Sequence, residues 1–157
     1  MTDATLQLDE LDRRILNALQ VDSSRTNNEL AAYVHASPPT CLRRVKRLCE
    51  SGVIERHVAI VAPNKVAAGL SAIVEITLDN QSAERLQDFE TLIAVEPNVL
   101  QCYRVSPGPD FVLVIQVADM AAYHALAHRL FAAQVNVRNV RSFFSIYRSK
   151  FETRLEV

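Results

Sequence analysis

Glycine is scarce in this chain of 157 residues, with three copies at positions 52, 69 and 108. That scarcity excludes a glycine-rich phosphate loop. Three cysteines, an odd number, fit no disulfide framework and point to a reducing compartment. No apolar run reaches the roughly 18 residues of a membrane-spanning helix, because charges interrupt each one. The stretch from Met1 to Glu10 is polar and acidic, without the apolar core of a signal peptide, and predicts a cytoplasmic protein. No Ser/His/Asp or Cys/His cluster shares a loop, so the expectation is a protein that is not an enzyme and needs no cofactor. His124 and His128 stand four apart on a predicted helix, but no third ligand is near them in sequence. They read as exposed helix residues, with no metal expected. The net charge is −1, from 17 Lys+Arg against 18 Asp+Glu, so the whole molecule is not a polycation. A nucleic-acid function has to rest on a local patch.

Apolar residues are plentiful, at 49% against 22% charged, which is enough to bury a core and excludes a disordered chain. The length suits one medium domain or two small ones. Charge is unevenly spread. From Pro38 to Leu48 lie Arg43, Arg44, Lys46 and Arg47, with no acid among them, whereas Asp9, Glu10 and Asp12 gather near the start. A basic cluster alone is equally a solvated helix face, so the neighbouring elements decide its meaning.

Leu8 to Leu19 has helical spacing in Leu11, Ile15, Leu16 and Leu19, with Asp9 as N-cap and Asp12 three residues on. Asp22-Ser23-Ser24-Arg25 is turn chemistry. Thr26-Asn27-Asn28-Glu29 is a capping box for a short second helix, with Leu30, Ala31 and Val34 inward. After the tight turn His35-Ala36, Ser37-Pro38 starts a third helix that runs to about Ser51 and stops at Gly52. Its expected core face is Cys41, Leu42, Val45, Leu48 and Cys49, with Thr40, Arg43, Arg44 and Arg47 on the other side and Lys46 flanking. Cys41 and Cys49 are about 12 Å apart along that helix, too far for a disulfide, and read as small core residues. Three short helices, a tight turn and cations only on the third describe a helix-turn-helix, which sets a cationic helix in the major groove of double-stranded DNA. The candidate DNA-contacting residues are Thr26, Asn27, Ser37, Thr40, Arg43, Arg44, Lys46 and Arg47.

Val53 to Val61 reads as a strand leaving the third helix, and Ala62-Pro63-Asn64-Lys65 as a linker. This divides the chain into a helix-turn-helix domain over 1–62 and a second domain over 63–157. The second reads as strand (70–78), helix (82–95), strand (99–105), turn (106–109), strand (110–118), helix (119–132) and strand (135–148). That β-α-β-β-α-β order is the ferredoxin-like split βαβ unit, so the fold class is α+β. Its sheet carries helices on one face only, and the bare apolar face predicts a second copy covering it. Phe143 and Phe144, adjacent on the last strand, point to opposite faces, one into the core and the other toward an interface or cleft. Asp110 is either a turn cap or an acceptor for a ligand's ammonium group.

The ordered set Leu8-Asp9-Glu10-Leu11-Asp12, Ile15-Leu16, Asn28-Glu29-Leu30-Ala31, Ser37-Pro38, Cys41-Leu42-Arg43-Arg44-Val45, Arg47-Leu48 and Gly52-Val53-Ile54 resembles the Lrp/AsnC family of transcription regulators. The likeness continues through Val105-Ser106, Asp110-Phe111-Val112-Leu113, Asp119-Met120 and Tyr123. It implies a helix-turn-helix regulator with a ligand-sensing second domain, which assembles as dimers and usually octamers. It implies an amino acid or related effector held in clefts between dimers, and a strand near Glu55 to Val61 that pairs across the dimer. Carried onto this sequence, the effector residues are Ser106, Gly108, Asp110, Phe111 and Met120, around an apolar side-chain pocket suited to leucine, methionine or an aromatic amino acid. His35 stands where the family often has Gly before the third helix. Pro107 stands at a family Gly, which fixes φ and removes an N–H donor. That second departure favours an alternative reading, a DNA-compacting architectural protein of the same fold that senses no ligand.

Overall fold

The structure is a computed structural model that describes residues 7–66 and 69–157. Met1 to Leu6, part of the polar and acidic stretch read above, lie outside the described residues. The chain forms two compact units, one of residues 1–60 with 150–157 and one of residues 61–149. The second boundary expected from sequence ran to 157. The structure gives the last eight residues to the first unit, because their partners lie there.

In the first unit, α1 spans Glu10–Val21, and the Asp9 carboxylate accepts the Asp12 N–H while Asp12 accepts that of Asp9. The acids therefore satisfy donors that a helix start leaves orphaned. Helix α2 spans Asn27–Tyr33 behind a second capping box, Thr26 with Glu29. Helix α3 spans Pro38–Glu50. Ser37 occupies its N-cap but caps nothing with its side chain; its hydroxyl lies 2.8 Å from Thr40 Oγ1 instead. Ile15, Leu16, Ala18, Leu30, Ala31, Val34, Cys41 and Leu48 form the core of the three helices. Leu42 and Cys49, expected inward, are exposed. Three helices this short enclose a narrow core, and Cys41, Val45 and Leu48 already fill the stripe of α3 that faces it. His35, between α2 and α3, has φ 55°, a left-handed conformation that a side chain occupies at some cost. Gly52, at φ 74°, turns the chain out of α3. Residues 53–61 were expected to form a strand, yet form no ladder among the described residues. Alternation of apolar residues makes a strand only where a neighbour supplies the hydrogen bonds.

The second unit holds β1 (Leu70–Leu78), α4 (Ala83–Ala94), β2 (Val99–Arg104), β3 (Phe111–Val117), α5 (Met120–Ala127) and β4 (Val137–Phe144). A turn of π-helix, His128–Ala132, takes over where α5 was expected to continue. The sheet order is β2-β3-β1-β4, with every neighbour antiparallel. Strict alternation fixes the register: Ala72, Val74, Ile76 and Leu78 of β1 and Phe111, Leu113, Ile115 and Val117 of β3 all point to the helices. There they meet Phe89, Ile93, Tyr123, Leu126, Leu130 and Phe131. Phe144 packs edge-on to Tyr123, with ring centroids 4.9 Å apart, whereas Phe143 stands on the opposite face, 45% exposed. That other face also carries Ile73, Val112, Val114 and Tyr103, bordered by the Glu75–Arg141 ion pair at 3.1 Å. Buried Glu96 is held by Arg129 at 2.6 Å and by Asn98, and the guanidinium keeps its carboxyl below the usual range. Among the described residues no helix is long and apolar enough to cross a membrane.

Candidate nucleic-acid interface and effector hairpin

Helix α3 presents its cations unequally. Arg43 and Lys46 are exposed; Arg43 has no ion-pair partner among the described residues, and Lys46 meets only the exposed Glu50, at 3.7 Å. Arg44 and Arg47, expected on the same outward face, turn toward α1. Arg44 Nη1 lies 2.5 Å from Asp9 and 3.2 Å from Asp12, and Arg47 Nη2 pairs with Asp12. Asp12 has no exposure, and a buried carboxylate without cations would be costly, so it draws both guanidinium groups inward. Asp9 is held below the ordinary aspartate range, first by the Asp12 N–H and then by Arg44, and Arg44 is pushed up chiefly by Asp9.

The remaining candidates sit around the start of α3. Thr40 is half-buried and shares its hydroxyl with Ser37. Asn27 donates its amide to the Pro38 carbonyl at 3.0 Å, which ties α2 to the start of α3. Thr26 is exposed, with its hydroxyl engaged by Glu29. Sequence reasoning missed the acidic partners of the arginines, although a signal existed. Asp9 and Asp12 are three apart on one element, and Arg44 and Arg47 are three apart on another, so two rows of opposite charge share one helical spacing.

The effector candidates divide. Ser106 and Gly108 are exposed on the β2–β3 hairpin, and Gly108 adopts φ 128°, a conformation only glycine takes readily. Asp110 Oδ2 accepts the Leu78 N–H at 2.6 Å, and the Asp110 N–H reaches the Ile76 carbonyl at 2.8 Å. That oxygen therefore serves as a cap on the end of β1. Phe111, expected to line a cleft, is fully buried against Phe89 with ring centroids 4.7 Å apart; β3 alternation turns it inward. Met120, expected near the hairpin, begins α5 beyond the far end of β3, about 20 Å away within one chain at strand rise.

His124 and His128 border a groove of about 560 Å³ with Phe131, Arg138 and Val140. Among the described residues no three His, Cys, Asp or Glu side chains gather as a metal site. Cys41 is buried, which raises its thiol pKa, and exposed Cys49 lies 3.9 Å from His57 Nε2.

Three capped helices with a cationic third member, followed by a one-sided split βαβ unit, define a DNA-binding regulator with an appended sensing domain. The family described as "Lrp/AsnC ligand binding domain" matches residues 71–155, and that described as "Winged helix-turn-helix DNA-binding" matches residues 8–55. The chain belongs to the Lrp/AsnC family of transcription regulators. It is 34% identical over 150 residues to the leucine-responsive regulatory protein of Escherichia coli K12, covering 96% of this chain and 92% of that one. It is 39% identical over 137 residues to an uncharacterized HTH-type transcriptional regulator of Haemophilus influenzae, covering 87% and 82%. Among solved structures, an AsnC family regulator from Agrobacterium tumefaciens superposes with a TM-score of 0.88 at 37% identity, covering 94% and 96%. A transcriptional regulator from Neisseria meningitidis in complex with L-Met gives 0.88 at 30% identity, covering 95% and 96%.

Proposed function

We propose that α3 reads operator DNA through Thr40, Arg43 and Lys46, with Thr26, Asn27 and Ser37 at the phosphate-facing start of the helix. Arg44 and Arg47 act one step back, as the link that sets α3 against α1. The observation that carries this reading is the division of the α3 cations into an exposed pair and a pair turned toward Asp12. The test is quantitative gel shift over a salt series with an operator obtained by selection from random duplexes. Arg43→Ala should lose about 1–3 kcal/mol and relax specificity at one base position if Arg43 reads a base. Arg44→Ala should act through stability, with a parallel fall in the melting temperature. Wild-type affinity and specificity in folded Arg43→Ala would overturn the assignment.

The assembly follows from the bare sheet face: a second copy covers Ile73, Val112, Val114, Tyr103 and Phe143, and residues 54–60 gain a ladder from the same segment of the partner. Four such dimers make the octamer that the family resemblance implies. The effector is an amino acid with an apolar side chain, in keeping with the L-Met of the Neisseria structure and the name of the Escherichia coli relative. Ser106, Gly108 and the remaining oxygen of Asp110 contribute from one copy. A site that also uses Met120 takes it from another copy, since one chain holds them at opposite ends of β3. The engagement of Asp110 by Leu78 favours a second reading, an architectural DNA-binding protein without an effector. Calorimetry with L-leucine and L-methionine separates the two. Binding that Asp110→Asn weakens supports sensing, and no heat at millimolar ligand supports the architectural reading.

A further inference from the structure

We propose that the exposed side of α1 carries a peptide-docking seat, filled in this chain by its own residues 153–157. The seat has two polar side chains, which make three hydrogen bonds, and one apolar slot. Gln20 closes its side-chain amide on a single residue, accepting the Leu155 N–H at 2.7 Å and donating to the Leu155 carbonyl at 3.0 Å. It thereby does what a neighbouring strand would do. Asn17, three residues earlier on the same face, donates to a main-chain oxygen of Val157 at 3.2 Å. The segment runs antiparallel to the helix, its alternate residues matched to one helical turn. Val157 packs against the core of the three helices beside Leu19 and Ile54.

The contacts define what the seat accepts. Both groups grip backbone, and Leu155 itself is 71% exposed, so the residue between the amide jaws is unread. Position 157 is read, because its side chain meets the core. The ligand class is an extended peptide with a free N–H at the clasp and an apolar residue two positions later. A cavity of about 820 Å³ beside Leu16, Leu19, Val53, Ile54, Leu155 and Val157 leaves the segment packed on one side only. Packing on one side makes a strap that exchanges, where a fully buried strand would not. The family match assigns residues through 155 to the ligand-binding domain, whereas the seat places them with the DNA-binding unit.

Two measurements test the seat. The first uses full-length protein and limited trypsin digestion followed by mass spectrometry, comparing cleavage after Arg154 with cleavage after Arg148 as internal reference. Gln20→Ala should raise the relative rate at Arg154 about five- to tenfold, the loss of one such amide pair, and Gln20→Leu, which keeps the bulk but removes both amide contacts, should do the same. The second uses a fluorescent peptide of residues 150–157 added to a chain ending at Ser149 whose fold is verified by circular dichroism. Saturable anisotropy, lost with a Val157→Asp peptide and absent with the full-length chain, supports the seat. Equal cleavage in Gln20→Ala and wild type overturns the clasp, and so does peptide binding indifferent to Val157→Asp. None of these readouts uses DNA, so they stand apart from the operator assignment.

Discussion

Removing Asp12 would leave Arg44 and Arg47 facing each other without the acid that both contact. Breaking a buried pair by deleting one partner costs about 3–5 kcal/mol, and the partial exposure of Arg47 puts Asp12→Ala near the lower figure. Urea unfolding should show that loss, and Asp12→Asn, which keeps the shape and one acceptor oxygen, should lose less. Equal stability of wild type and Asp12→Ala would remove the linking role given to the cluster. Asp9 adds a pH dependence of known sign. Its lowered carboxyl stabilises the fold above the ordinary aspartate range, and the contribution fades as pH falls through the lowered value. The residue types of this cluster are plain in the sequence, but the facing of Arg44 is not. A helical wheel ranks positions by hydropathy, and a buried acid reverses the ranking by pulling a cation inward.

At the scale of elements, the turn between α2 and α3 sets where the reading helix starts. His35 holds φ 55° there, so His35→Gly should relieve the steric cost of a left-handed side chain, offset in part by greater freedom of the unfolded chain. The expected net is a gain of about 0.5–1 kcal/mol, a left-handed cost of about 1–2 kcal/mol less the unfolded-chain entropy of glycine, seen as a higher melting temperature in calorimetry; a fall would mean that the His35 ring contributes contacts outweighing the strain. Helix starts were the most legible elements. The capping boxes at Asp9 and Thr26 and the Ser37-Pro38 start are local chemistry and need no distant partner. The elements that sequence misplaced depend on distant partners. Residues 53–61 lack a ladder among the described residues, and the continuation of α5 turns into π-helix where Leu130 and Phe131 both reach the core. The effector hairpin shows the same division. Its turn was readable from Pro107-Gly108-Pro109, but the burial of Phe111 follows from β3 register, which the rest of the sheet decides.

For the whole molecule, the bare sheet face predicts that the free monomer is a poor state. Ile73 sits at its centre, 47% exposed and flanked across the ladders by Val114 and Phe143. Ile73→Asp places an acid in the middle of that surface while leaving the core alternation of β1 untouched. Light scattering coupled to gel filtration should then shift the protein from dimers or larger assemblies to monomers, and an unchanged mass would relocate the interface. The split βαβ order was legible because it needs only the sequence of elements. The return of residues 150–157 to the first unit was not: Phe151, Thr153, Leu155 and Val157 alternate with Lys150, Glu152, Arg154 and Glu156, and such alternation suggests an extended segment without naming its partner.

That return also sets a timetable. A chain made from its N-terminus presents α1, α2 and α3 first, and folding begins with what has emerged. The strap that completes their unit follows roughly 90 residues later, a delay on the order of 5–20 s at about 5–20 residues per second. During that interval the entire second unit is synthesised and can fold, while Gln20 and Asn17 still face water. The DNA-binding unit is thus begun first and finished only after its sensor, so a nascent chain acquires its complete reading head with the sensing domain already in place.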